Sequence, residues 1–162
     1  MSFNFPEEFK LVLGGSVLPI QAANALSTGD YICCKNVQKA WAVITHQGAN
    51  DTDLVLEFSE ATDVAGSGAA DVTKTVPNWR DNDAGTGSDT LVKQTDAATV
   101  TIDPATQNPV LVVMEWDPAK FTAGYDCIAV KGNNGHGSNN VHVLWILEMR
   151  YADNQPPSVI ID

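Results

Sequence analysis

The sequence predicts an all-β protein: an antiparallel β-sandwich, jelly-roll-like, with extended N- and C-terminal arms. Three observations carry that expectation. The segment from Pro109 to Arg150 holds three dense apolar runs, PVLVVMEWD, YDCIAVKG and VHVLWILEM, separated only by Asp-Pro and Gly/Asn turn chemistry; such runs, rich in Val, Ile, Leu and Trp, read as buried strands. Upstream, TDLVLEFSE alternates, placing Leu54, Leu56 and Phe58 on one face and Asp53, Val55 and Glu57 on the other. Turn residues recur at roughly 8–12-residue spacing, the rhythm of sandwiches and jelly rolls.

Taken in order, the chain divides into an arm over residues 1–29, a sandwich over 30–151 and an extended tail over 152–162. The first part is weakly periodic, with Gly14, Gly15, Pro19 and QAANALSTGD; it reads as one or two short strands outside the core, with a short helix at Pro6–Leu13 as an option because proline suits a first helical turn. Strands are then expected at Asp30–Asn36, Lys39–His46, Thr52–Glu60, Leu91–Gln94, Ala98–Asp103, Val110–Trp116, Tyr125–Lys131 and Val141–Met149. Between Ala61 and Asp89 the pattern breaks into Gly-, Ala- and Asp-rich stretches that are not expected to pack a core, and a loop of that length is functional or mobile. Asp117–Phe121 predicts one helical turn. In the tail, Pro156 and Pro157 favour an extended conformation that ends in apolar Val159, Ile160 and Ile161. That tip reads either as a docking arm or as a segment that folds back on its own sheet.

Composition narrows the function. The chain has 162 residues, 9 basic against 20 acidic, and a net charge of −11. A field of that sign repels phosphate backbones and anionic lipid, so no nucleic-acid partner and no membrane partner is expected. The start of the chain lacks the charged and apolar regions of a secretory leader, and Cys33, Cys34 and Cys127 cannot all pair within one chain. They read as small buried apolar residues of a protein made in a reducing cytoplasm.

No catalytic constellation emerges, and the expectation is a protein that is not an enzyme and takes no cofactor. The acidic loop Asp81–Asp89 resembles a calcium loop, but the positions that an EF-hand assigns to an oxygen ligand, a glycine and a bidentate acid are Gly85, Thr86 and Val92; a solvated turn is expected there, with Asp81, Asp83 and Asp89 as the alternative Ca²⁺ ligands. His136 and His142 match no zinc spacing, and His142 reads as a partly buried strand histidine. Trp41, Trp116 and Trp145 lie in strand runs and read as core. Trp79 stands apart in the polar stretch PNWRDND, beside Arg80. A tryptophan next to an arginine is the composition of an interface anchor or a sugar platform, the other option being a ring tucked under its own loop. The candidate partner-contact residues are therefore Trp79, Arg80, Val159, Ile160 and Ile161.

The succession YICCKNVQKAWAVITHQG, LEFSEATDVAGSGAADV, NPVLVVMEWDPAKFTAGYDCIAVKG and a last strand ending in LEMRYA resembles capsid decoration, or cement, proteins of tailed bacteriophages, over roughly residues 30–152. The resemblance implies a β-sandwich on the outside of an icosahedral shell, a major capsid protein as partner, a homotrimer bridging capsomers, and a virion location for a chain made in the host cytoplasm. It implies no catalytic residues. A carbohydrate-binding sandwich module and another tail or neck protein of the virion stay open as alternatives.

Overall fold

The computed structural model describes residues 9–14, 18–20, 30–48, 51–85, 87–133, 136, 139–150 and 159–160. Its strands are β1 (Phe9–Leu13), β2 (Leu18–Ile20), β3 (Ile32–Cys33), β4 (Val37–Gln47), β5 (Leu54–Ala61), β6 (Ala70–Asp71), β7 (Asn78–Asp81), β8 (Val92–Lys93), β9 (Thr99–Ile102), β10 (Val110–Trp116), β11 (Cys127–Asn133) and β12 (Asn139–Met149). All pairings are antiparallel. The larger sheet runs β1-β12-β4-β10-β7-β8, with β2 also on β12; the smaller runs β3-β11-β5-β6, with β9 also on β5.

The jelly roll follows from that order. Taking β1, β3, β4, β5, β9, β10, β11 and β12 as first to eighth, the sheets read 1-8-3-6 and 2-7-4-5, the double Greek key of a jelly roll. Strands β2, β6, β7 and β8 are additions, and β7 and β8 widen the larger sheet beyond β10.

Period-two patterning decides which side chains enter the core. From the larger sheet come Ala40, Ala42 and Ile44 of β4, Val112, Met114 and Trp116 of β10, and Val143, Trp145 and Leu147 of β12; Leu54, Leu56 and Phe58 of β5 and Ile128 and Val130 of β11 face them. The registers pair Trp116 with Ala40 and Trp145 with Ala42, so each indole lies beside a methyl-sized neighbour that leaves it room. Phe58 crosses from the other sheet and stacks on Trp145 at 5.6 Å while meeting Trp116 edge-on at 5.8 Å, contacts worth about 0.5–1.5 kcal/mol each beyond their buried area. Gly14 sits against this cluster, and a Cβ there would lie 2.6 Å from Trp145 Nε1.

Several expectations are corrected. The helix considered at Pro6–Leu13 is replaced, over its described part, by strand β1, whose five residues pair with β12 and whose Val12 joins the core; a short FKLVL run acquires its conformation from the long strand beside it. The Ala61–Asp89 region does pack a core: Val72 and Val76 are buried, and β6 and β7 lie within it. Val72 and Val76, set among Thr, Lys and Pro in DVTKTVP, carry no strand period from which burial could be read. The turn at 117–121 is a 3₁₀ turn over Pro118–Lys120, where Asp117 Oδ1 accepts from the Ala119 N–H at 2.9 Å.

Candidate interaction face

The residues left on the outer side of the larger sheet are apolar to an unusual degree. Strands β10 and β12 carry apolar residues at both parities, the pattern of strands covered on both faces. Among the described residues no second layer lies over this side. The register aligns Leu13, Leu144, Val43, Val113 and Trp79 in one row across β1, β12, β4, β10 and β7. At the usual strand separation the row is about 19 Å long. It ends at Lys93 of β8, whose Nζ lies 4.7 Å from the Trp79 ring centroid.

A second row, Leu11, Ile146 and Trp41, runs beside it and ends on Glu115. Here the indole has a polar handle: Trp41 Nε1 donates to Glu115 Oε2 at 2.9 Å, and Lys39 Nζ pairs with Glu115 Oε1 at 3.1 Å. Trp41, expected in the core, is half-buried on this outer face and packs against Phe9. Leu11 is 52% exposed and Leu13 73%. Leu144, Val43, Val113, Trp79 and Ile146 are half-buried, so the exposed part of this apolar strip lies at Leu11 and Leu13; an apolar strip rimmed by charge marks an interaction site.

The candidate contact residues separate in space. Trp79 lies opposite Val113 and faces out, whereas Arg80 lies opposite Val112 and points between the sheets. Arg80 Nη1 donates to Gln107 Oε1 at 3.3 Å, Nε has no partner among the described residues, and desolvation pulls the guanidinium below its ordinary pKa. The two neighbours in sequence therefore do not form one surface anchor. Val159 is 4% exposed and belongs to the main core, and its carbonyl accepts from the Cys33 N–H at 2.6 Å. Val159 of the tail is thus part of its own domain's core. Ile160, 52% exposed, flanks a shallow groove of about 320 Å³ with Lys10, Leu11 and Leu13. Ile161 lies outside the described residues.

The polar candidates also scatter. His142 is exposed, not partly buried, because Val141 and Val143 take the inward parity on β12. It lines a depression of about 390 Å³ with Thr45, Gln47, Pro109, Leu111 and Asn140. Asp81 is buried and its Oδ1 accepts from the Asp83 N–H at 3.2 Å, a turn contact. Among the described residues the only group of three potential metal ligands is Cys33, Asp126 and Cys127, which the sequence did not bring together because β3 and β11 lie far apart along the chain.

No family model matches the chain, and no curated protein matches it. Among solved structures, the SPBc2 prophage-derived protein YomS aligns with 86% of this chain and 91% of its own at 10% identity and a TM-score of 0.46. A structure of the infectious bursal disease virus Gt strain aligns over 90% of this chain and 37% of that one at 11% identity and a TM-score of 0.26. Desmodium yellow mottle tymovirus aligns over 93% and 89% at 14% identity and 0.18. All three scores are low, and the fold assignment rests on the strand order of this chain. No helix among the described residues is long and apolar enough to cross a membrane.

Proposed function

We propose that this chain is a structural, non-enzymatic protein of a bacteriophage virion that binds the outer surface of the capsid and stabilises contacts between capsomers. The observation that carries this reading is the in-register apolar row Leu13, Leu144, Val43, Val113 and Trp79 on the face of the larger sheet that no second layer of described residues covers. Side chains held on the strands of a sheet lose little conformational freedom on docking, and one such face per chain repeats under symmetry. The resemblance of residues 30–152 to decoration proteins supplies the partner, a major capsid protein. A ligand bound only by the assembled shell stabilises the shell by mass action. The homotrimer belongs to the same proposal, with the Leu11–Ile160 groove at the end strand β1 as its seam.

The test is co-sedimentation with shells assembled without this protein. Wild type is expected to pellet with the shells. Val113→Glu and Leu144→Glu place charge on the outer face, on the side away from the inward-facing core, and are expected to abolish pelleting while leaving the circular dichroism spectrum unchanged. Pelleting of both variants at wild-type level overturns the assignment of this face. The depression beside His142, with polar Thr45, Gln47 and Asn140 around Pro109 and Leu111, favours carbohydrate binding as a second reading. Saturable binding of a soluble oligosaccharide that is lost in Leu111→Glu would support it.

A further inference from the structure

We propose that Cys33, Cys127 and Asp126 form a binding site for a thiophilic divalent cation of the zinc class, at the place where β3 and the tail are tied to β11. The argument begins with register. Cys33 and Cys127 are directly opposite each other on β3 and β11. The Cys34 N–H donates to the Asp126 carbonyl at 2.8 Å, whereas the Cys33 N–H turns away from β11 to Val159. Cys33 and Cys127 therefore occupy a non-hydrogen-bonded pair, the closer of the two antiparallel spacings, with Cα atoms about 4.5 Å apart and side chains on one face. That face is the outer side of the smaller sheet, where Cys127 packs with Tyr31, Ala61 and Ala129, and Cys33 and Val64 lie at the margin.

The donor chemistry fits. All three cysteines are thiols, and the sulfurs of Cys33 and Cys127 and a carboxylate oxygen of Asp126 lie within 4.8 Å of one another. Two thiolates around a tetrahedral zinc stand about 3.8 Å apart, so side-chain rotations on the order of an ångström close the site. The Cys127 thiol already donates to Asp126 Oδ1 at 3.2 Å, which places a proton where a cation would sit. Binding replaces the two thiol protons, which are released to solvent, and leaves two thiolates and a carboxylate on the metal, with water in the fourth position. The competing cation, Lys35, reaches Asp126 Oδ2 at 3.4 Å from a side chain 63% exposed, and swings aside at little cost. Cys34 takes no part: it points into the main core.

The consequence is mechanical. Strand β3 has two residues, and its Cys33 amide holds the Val159 carbonyl. A metal joining Cys33 to Cys127 would clamp both the short strand and the seat of the tail to β11. The experiment titrates the reduced full-length protein with Cd²⁺, following thiolate-to-metal charge-transfer absorption and the thermal midpoint. One Cd²⁺ per chain, with a raised midpoint, is expected. Cys33→Ser and Cys127→Ser should each lose the band, Asp126→Asn should weaken binding roughly tenfold or more, and Cys34→Ala should keep the band. Absence of a band in wild type, or its survival in Cys33→Ser, overturns the proposal.

Discussion

His46 shows how much one buried polar side chain can report. It is 1% exposed, takes the inward parity of β4 after Ala40, Ala42 and Ile44, and shares a hydrogen bond of 3.1 Å between Nε2 and Asn139 Oδ1. Burial holds its pKa below the ordinary 6.5, and the Asn139 hydrogen bond opposes that shift only in part. The fold therefore keeps the ring neutral. Its contribution to stability is present above the unfolded value of 6.5 and is lost as the pH falls through the lower folded pKa, by at most about 1.4 kcal/mol per pH unit. Stability measured in urea at pH 7 and pH 5 is expected to fall more steeply for wild type than for His46→Gln; equal slopes would show that this ring does not titrate against folding. Neither the parity nor the partner of His46 is legible in KAWAVITH, because Ala40, Trp41, Ala42, Val43 and Ile44 are apolar at both parities and Asn139 comes from the start of β12, which lies beside β4 only in the folded sheet.

At the scale of elements, the short strand β3 and the tail depend on each other. Val159 contributes both a core side chain and a backbone carbonyl that satisfies Cys33. Val159→Ala removes apolar surface equivalent to about two methylenes and is expected to cost about 1.6 kcal/mol, read as a lower urea midpoint with an unchanged slope. No change in the midpoint would mean that the tail contributes nothing to the folded state. The motif PPSVIID announces an apolar, extended tip, yet an apolar tip is satisfied equally by its own core or by a foreign surface. The core won here because β1 and β3, at the margins of the two sheets, leave a seat between them. Likewise, β6 and β7 are not legible in the sequence because two to four residues carry no period, whereas the seven apolar-rich residues of β10 mark both of its ends.

For the molecule as a whole, charge and shape pull in opposite directions. Each chain carries −11, so copies repel one another at low ionic strength, while the Leu11–Ile160 groove and the outer face of the larger sheet favour burial. At about 1 M salt the screening length falls to about 3 Å. Light scattering is therefore expected to give 17.3 kDa at low salt, moving towards three chains, about 52 kDa, at high salt. Ile160→Glu should hold the mass at 17.3 kDa throughout. A wild-type mass of 17.3 kDa at every salt concentration would remove the groove as a trimer seam.

By itself the sequence determined the fold class, the positions of the long strands and the inward parity of β5, because clean period-two alternation is a local property of the chain, whereas β4, β10 and β12 are apolar at both parities and leave theirs open. It also held the clue to the outer face in the double-parity apolar runs of β10 and β12. Only the tertiary structure decided that Trp79 and Arg80 face opposite ways, that Trp41 is an outer-face residue, that Val159 is core, and that Cys33 meets Cys127. Each of these depends on which distant strand lies alongside, and register between strands is set by the packing of the whole sandwich.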